Sequence, residues 1–389
     1  MTDAVLTLNA GSSSLKVAVF GAQGDEPLLT GQVERIGAQG SLRLQLSDGA
    51  TVAPPRVPLS NHAEALSAVI QALKQALPDL AFSAIGHRVV HGGDRFTSPA
   101  RVTPAVMEYL TTLEPFAPLH QPHNLAGIRT AMAAFGDVPQ VACFDTAFHR
   151  GHPFVNDSFA LPFRYFERGV RRYGFHGLSY EYVSARLRDL APQIAQGRVV
   201  VAHLGNGASM CGMVDGKSVA STMGFSALDG LPMGTRCGQI DPGVLLYMLD
   251  QEGLSSSEIR HTLYNESGLL GLSGGLSNDM RTLEASNTPE AQRAIDYFVF
   301  RIQREIGAMA AAMGGIDALV FCGGIGEHSL GVRARVCERM QWMGIEIDHH
   351  RNTQNAQVIS PEGSRTCVMV IPTQEELVIA RAARAVSGL

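Results

Sequence analysis

Apolar residues recur along this chain in two rhythms. Residues 4–8 and 15–20 are short apolar runs around Asn9-Ala10-Gly11-Ser12-Ser13-Ser14, a pattern that reads as two strands joined by a turn of small residues. Further strand-like pieces continue to Pro58. From His62 the rhythm changes: Leu66, Val69, Ile70, Leu73 and Leu77 fall at helical spacing. An apolar run over residues 82–90 then predicts a buried strand, residues 104–113 and 123–135 two helices, and residues 140–144 a strand that ends at Asp145. The first part of the chain is therefore expected to be a mixed α/β domain.

After a Pro- and aromatic-rich connection over residues 149–173 the pattern starts again. Residues 198–204 read as a strand, Gly205-Asn206-Gly207-Ala208-Ser209 as a small-residue turn, and residues 210–214 as a returning strand. Asn-x-Gly-x-Ser at the first turn and Asn-Gly-x-Ser at the second form an internal echo of the kind a duplicated domain leaves, although short Gly/Ser hairpins also recur by chance. Ile295, Phe298, Val299, Ile302, Ile306, Met309 and Met313 line one face of a long helix. That helix feeds a strand at residues 318–322 and a turn at Gly323-Gly324-Ile325-Gly326-Glu327; a strand at 367–371 and a terminal helix from Thr373 follow. No low-complexity linker divides the halves, so two domains packed about a cleft are expected.

Length agrees with this division, because 389 residues exceed one ordinary core and point to about two domains. A charge of -5, from 31 Lys+Arg and 36 Asp+Glu, gives no basic surplus for non-specific nucleic-acid binding. The six cysteines contain no C-x-x-C pair, which argues against a disulfide scaffold or thiolate metal site and fits a reduced, cytoplasmic setting. The N-terminus enters a strand without a positive leader, and no apolar run is long enough to cross a bilayer, so neither secretion nor membrane insertion is expected.

Three Gly-rich strand ends carry candidate chemistry: Asn9 to Ser14 with Lys16 beyond, His203-Leu204-Gly205-Asn206-Gly207, and Gly323 to Glu327. Glycine lets backbone N–H groups approach phosphate oxygens, hydroxyls add donors and lysine adds charge, so together they predict a nucleotide phosphate clamp. None is a P-loop or a spaced G-x-G-x-x-G. Arg88, near the end of an apolar strand, needs an anionic partner: either a neighbouring carboxylate or the carboxylate or phosphate of a substrate. Arg236 is a second isolated arginine in a small-residue loop, Asp145 ends a strand where α/β sheets commonly present ligand-binding groups, and His176 follows a basic pair between glycines. The histidine pairs His87/His91, His120/His123 and His149/His152 lie mostly in strand or loop contexts unsuited to zinc. In Thr373-Gln374-Glu375-Glu376 a capping box would use Thr373 and Glu376, leaving Glu375 for a magnesium ion beside a phosphate loop.

In this order the segments at residues 8–16, 86–93, 144–149, 173–179, 203–207, 233–242, 323–327 and 372–377 resemble the acetate kinase (acetokinase) family over nearly the whole chain. The resemblance implies an α/β fold of two duplicated actin-like, ribonuclease H-like domains: residues 1–147, with a helix at about 377–389 packing back on it, and residues 148–376. It places ATP in the cleft between them, usually in a homodimer, and implies ATP + acetate ⇌ ADP + acetyl phosphate with Mg²⁺, for which Mn²⁺ is a substitute. Carried over by motif, Asn9 and Glu375 resemble the metal-site residues, and Ser12, Ser14 and Lys16 those near the phosphates. Residues 203–207, Asp279-Met280-Arg281 and Gly324-Ile325-Gly326-Glu327-His328 resemble the nucleotide site. Arg88 resembles the group that holds the acid, Val90, Leu119 and Phe175 its apolar pocket, Asp145 the catalytic acidic residue, and His176 and Arg236 the transition-state stabilisers.

The chemistry agrees, because acetate is already ionised at neutral pH and needs no base to become a nucleophile. Asp145 is thus expected to orient magnesium or substrate, while Arg88, Arg236 and His176 supply positive charge along the line of transfer. Ala227 stands where many members have proline, Gln239 replaces a frequent aspartate and His328 a frequent asparagine. These departures bear on acid and nucleotide preference. The competing readings are a propionate or butyrate kinase with the same mechanism, an actin- or chaperone-like ATPase module that would not require Arg88, Asp145, His176 and Arg236, and a sugar kinase, which would need polar groups where Val90, Leu119 and Phe175 stand.

Overall fold

The computed structural model describes residues 2–389 except Ser12, Ser13, Ala38, Arg56 and Leu119. The chain divides into two compact units, Met1–Arg150 with Gln374–Leu389, and Gly151–Thr373. Among the described residues each unit holds one sheet.

The first sheet is built from β1 (Thr2–Ala10), β2 (Leu15–Gly21), β3 (Pro27–Glu34), β4 (Ser41–Leu46), β5 (Thr51–Val52), β6 (Leu80–Val89), β7 (Ala100–Arg101) and β8 (Gln140–Phe144), in the order β5-β4-β3-β2-β1-β6-β8-β7. β1 lies antiparallel to β2 and parallel to β6, and β6 parallel to β8. Central β1 is buried continuously from Ala4 to Ala10, as a strand covered on both faces must be, whereas β4 alternates buried Leu42 and Leu44 with exposed Arg43 and Gln45. Leu6, Leu8, Val17, Leu29 and Ile85 pack with Leu66, Val69 and Leu73 of the helix His62–Ala76. Next to Ile85, Gly86 meets the terminal helix Glu375–Ser387, where a Cβ would collide with Ile379. The missing side chain lets that helix lie close to β6.

The second sheet contains β9 (Arg198–Leu204), β10 (Ala208–Val214), β11 (Lys217–Ser221), β12 (Ala318–Cys322) and β13 (Cys367–Val370), in the order β11-β10-β9-β12-β13. Again the hairpin is antiparallel and the next two strands run parallel. The helix Pro289–Met313 packs along β10, with Met309 and Met313 against the bare Cα of Gly212. The wiring β3-β2-β1-β6-β8 is thus repeated as β11-β10-β9-β12-β13, so the weak Asn/Gly/Ser echo coincides with a repeated topology.

Two local expectations are corrected. Residues 323–327 form the start of a helix, Gly323–His328, and only Gly323 needs a left-handed backbone, with φ 73°; its N–H donates to Glu327 Oε1 at 2.9 Å. The capping box at Thr373 and Glu376 does not form. Gln374 has the cap position of the terminal helix, one residue later than the box requires, and no side chain caps it. Thr373 donates its backbone N–H to Glu327 instead, and Glu376 accepts from Asn9.

Candidate active site

In the first unit, the β1–β2 register sets Asn9 opposite Lys16, and the terminal helix delivers Glu375 and Glu376. Directly opposed residues share a sheet face. Asn9 Nδ2 donates to Glu375 Oε2 at 3.0 Å and Glu376 Oε1 at 3.3 Å, and its Oδ1 accepts from Arg88 Nη1 at 3.1 Å. Parallel pairing of Val89 with Phe144 brings the ends of β6 and β8 level, so Arg88 and Asp145 emerge together. Arg88 grips the carboxylate as a fork, with Nε 2.9 Å from Oδ1 and Nη2 2.6 Å from Oδ2. The Asp145 side chain is 1% exposed. Burial alone would pull the Arg88 guanidinium down, but the carboxylates of Asp145, Glu375 and Glu376 outweigh it and push the group up. Arg88 thus has the neighbouring carboxylate partner that its apolar strand demanded, and the asparagine amide and a second acidic residue stand beside it.

Asn9 and Glu375 offer an amide oxygen and a carboxylate, the hard oxygen donors that Mg²⁺ accepts in small number while keeping water and phosphate ligands. The donor set fits such an ion. Among the described residues no three His, Cys, Asp or Glu side chains gather into a cage. Lys16 is exposed on β2. Ser14 accepts the Gly11 N–H at its carbonyl, while Ser12 lies outside the described residues. Val90 is buried, with its N–H donating to Asn124 Oδ1. Phe175 is equally buried in the second unit, and Leu119 lies outside the described residues.

In the second unit, the turn between β9 and β10 adjoins the start of the helix Gly323–His328: a Cβ on Gly205 would stand 3.9 Å from Gly324 N. Leu204 is buried, and a Cβ on Gly323 would meet its backbone. Ile325, Gly326, Glu327 and His328 complete this helix. At Gly207 a Cβ would lie 3.1 Å from Arg236 Nη2 and 3.3 Å from His176 Nε2, so the glycine, the arginine and the histidine converge. A Cβ on Gly234 would meet both Asn206 and the Asn278 carbonyl, which brings the Asp279-Met280-Arg281 segment alongside. There Asp279 caps the helix Met280–Glu284 and pairs with Arg281, and Met280 is buried. Arg236 Nη1 donates to the Ala227 carbonyl at 2.6 Å.

Sequence reading missed three contributors. Glu376, expected in a cap, instead holds Asn9. Ser209 bonds His176, a role its place in the small-residue turn did not reveal. Gly268, with φ 61°, lets the backbone pass Met233 and Arg236 where any Cβ would collide; no pattern in the sequence marked it. The Cys322 thiol lies 3.8 Å from Nδ1 of His203, whose ring stacks on that of His176, and burial pushes the thiols of Cys211 and Cys337 up to about 12.

The model of the acetokinase family matches residues 4–381. An acetate kinase of Methylocella silvestris is 57% identical over 393 residues, covering 98% of this chain and 97% of that protein. One from Rhizobium meliloti is 48% identical, with 97% of each covered. Among solved structures, the Porphyromonas gingivalis acetate kinase aligns with TM-score 0.88 and 37% identity over 99% of both chains. A propionate kinase from Francisella tularensis aligns with TM-score 0.91 and 35% identity over 98% of this chain and 99% of that one. With the match running through both units and through every motif above, this chain belongs to the acetokinase family.

Proposed function

We propose that this chain catalyses reversible transfer of the ATP γ-phosphoryl group to acetate, giving acetyl phosphate and ADP, with Mg²⁺ as the divalent metal and Mn²⁺ as a substitute. The observation that carries this reading is the Asn9–Arg88–Asp145–Glu375 cluster in a chain whose relatives are acetate kinases. Arg88 binds the acid carboxylate, and Asp145 holds the guanidinium in orientation. The acid arrives ionised, so Asp145 accepts no proton from it. Arg236 and His176, beside the backbone of Gly207, bind the transferring phosphoryl oxygens, where charge builds as the bond to ADP breaks. Asn9 and Glu375 would hold the metal, which when bound supplies charge neutralisation at the phosphate oxygens. Ser12, Ser14 and Lys16 approach the same phosphates. The segments 203–207, 279–281 and 324–328 take the nucleotide, and Val90, Leu119 and Phe175 take the methyl group.

A second reading concerns only the acid. The likeness to a propionate kinase, together with alanine at position 227 beside Arg236, supports use of a longer acid, and one methylene changes discrimination by only ~1–3 kcal/mol. Hydroxamate trapping of acyl phosphate, with acetate, propionate and butyrate compared by kcat/KM, separates the cases. Acetate should lead. A propionate lead would move the assignment to that acid, and ATP hydrolysis without any acyl phosphate would replace it with an ATPase module.

The homodimer belongs to the same proposal. The helix Pro242–Asp250 has no buried residue, yet Val244, Leu246, Tyr247 and Leu249 are all exposed, a composition a helix keeps only when something covers it. Sedimentation of the wild type and of Leu246→Glu should show a dimer weakened by the substitution. Among the described residues no helix is long and apolar enough to cross a membrane, which is compatible with cytoplasmic residence.

A further inference from the structure

Ser209 points inward from β10 and is fully buried. Its Oγ lies 2.5 Å from the Tyr180 hydroxyl and 2.8 Å from His176 Nδ1. Tyr180 lies in the first turn of the helix Gly177–Leu190 and His176 just before it, and both side chains reach Ser209. The three groups form a buried chain, Tyr180–Ser209–His176.

His176 is held unusually firmly. It has a left-handed backbone, φ 57° and ψ 25°, which a residue with a Cβ adopts only when its surroundings insist. Its ring stacks on that of His203 at 4.3 Å and 22°. Nδ1 is turned to Ser209, while Nε2 is turned to the place at Gly207 where Arg236 Nη2 also arrives. Two features disfavour a positive imidazole at this position. His176 stands at the N-terminus of the helix Gly177–Leu190, the positive end of its dipole, and the Arg236 guanidinium is adjacent. A neutral imidazole carries a single N–H, and the partner of one ring nitrogen decides which one bears it.

We infer that Tyr180 and Ser209 fix His176 as the neutral Nε2–H tautomer, so that it meets the transferring phosphoryl group as an aimed hydrogen-bond donor and not as a positive charge. The tyrosine hydroxyl donates to Ser209, and the serine hydroxyl donates to Nδ1. Burial, and then the nearby Cys211, push the Tyr180 hydroxyl well above its ordinary range, so the phenol keeps the proton that starts the chain. The opposite direction, with Nδ1–H donating to Ser209, would aim a lone pair at phosphoryl oxygens and repel them. Tyr180 and Ser209 are positioning residues, and what the donor acts on rests on the phosphotransfer reading above. The tautomer itself is read directly by the test below, independently of turnover.

The test uses the full protein with ¹⁵N-labelled histidine and no substrate, read by long-range ¹H–¹⁵N correlation, with the His176 signals identified by their loss in His176→Gln. Wild type should show Nε2 protonated and Nδ1 bare. Ser209→Ala should abolish this pattern and lower kcat about tenfold while KM for acid and ATP stays within about twofold, since only a donor used in the transition state is misdirected. Tyr180→Phe keeps the ring packing and should move the same signals by a smaller amount. It also serves if Ser209→Ala does not fold. A protonated Nδ1 or a cationic ring in the wild type would overturn the inference, as would variants whose His176 signals match wild type. Absence of acyl phosphate formation with an intact Nε2–H signal would instead count against the phosphotransfer reading and leave the tautomer standing.

Discussion

Two bidentate Arg–Asp pairs tie parallel strands in this protein, and they differ in almost everything but chemistry. Arg88 and Asp145 join the carboxyl ends of β6 and β8, with side chains 16% and 1% exposed. Arg198 and Asp317 join the opening residue of β9 to the residue before β12, with side chains 39% and 40% exposed. In the first pair the guanidinium also reaches Asn9 and feels Glu375 and Glu376. The second adds only bonds to backbone: the Asp317 carboxylate accepts the Arg198 N–H, and Arg198 donates to the Gly314 carbonyl. A buried ion pair is a poor source of stability, because desolvation takes back most of the attraction. Its presence at the carboxyl ends of strands, where α/β sheets commonly present ligand-binding groups, argues for function, and the exposed pair at the opposite ends is a clasp.

Breaking the buried pair should have the largest effect. Arg88→Ala removes the fork from a carboxylate that water scarcely reaches, and we expect a loss of about 3 kcal/mol in unfolding free energy. It should also cost about 10²–10³ in kcat/KM, with KM for the acid raised. Arg236→Ala sharpens the contrast: on the proposed reading Arg236 meets the transferring phosphoryl group and not the acid, so kcat should fall by about 10² with KM for the acid little changed. Urea titration and steady-state kinetics on both variants decide the matter; unchanged kinetics for the pair would remove both from the site.

A smaller effect comes from the buried histidines flanking Arg88. Burial, relieved slightly by Gln140, holds His87 at about 4, and burial together with Arg150 holds His91 at about 3. Both lie below the ordinary 6.5, so both are neutral in the fold and protonate more readily once unfolded. Their contribution is complete above about pH 6.5 and is lost as pH falls toward 4 for His87 and 3 for His91. Inside that window each adds a slope of about 1.4 kcal/mol per pH unit. Unfolding midpoints measured from pH 7 to pH 4.5 should fall, and His87→Gln should flatten the curve; an unaltered slope would contradict the buried neutral state.

The same contrast explains what could be read without coordinates. The strands at residues 140–144, 198–204 and 318–322 follow from continuous apolar runs, since a buried strand needs nothing more. The long helix shows its buried stripe at Ile295, Phe298, Ile302 and Ile306. That Arg88 needs an anion was legible, because a guanidinium in an apolar strand demands one. Glu376 was misread because Thr-x-x-Glu is a local signal, whereas its partner Asn9 is 367 residues away. Ser209 is another case: a buried hydroxyl announces nothing until the fold sets Tyr180 and His176 against it. Local chemistry is written in spacing, and partners across the fold are not.

The exposed clasp gives the smallest effect and the most direct check on the argument. Arg198 holds Asp317 with two short bonds, Nε to Oδ2 at 2.9 Å and Nη2 to Oδ1 at 2.7 Å, as regular as those of Arg88. If geometry alone set the worth of an ion pair, Arg198→Ala would cost as much stability as Arg88→Ala. Water screens this pair on both sides, and most of the attraction is returned as solvation when it opens. Arg198→Ala should therefore leave kcat and both KM values at wild type and barely shift the urea midpoint, with the small shift vanishing at high salt. A loss equal to that of Arg88→Ala would show that strand-clasping, and not burial beside Asn9 and Glu375, is what makes the first pair matter.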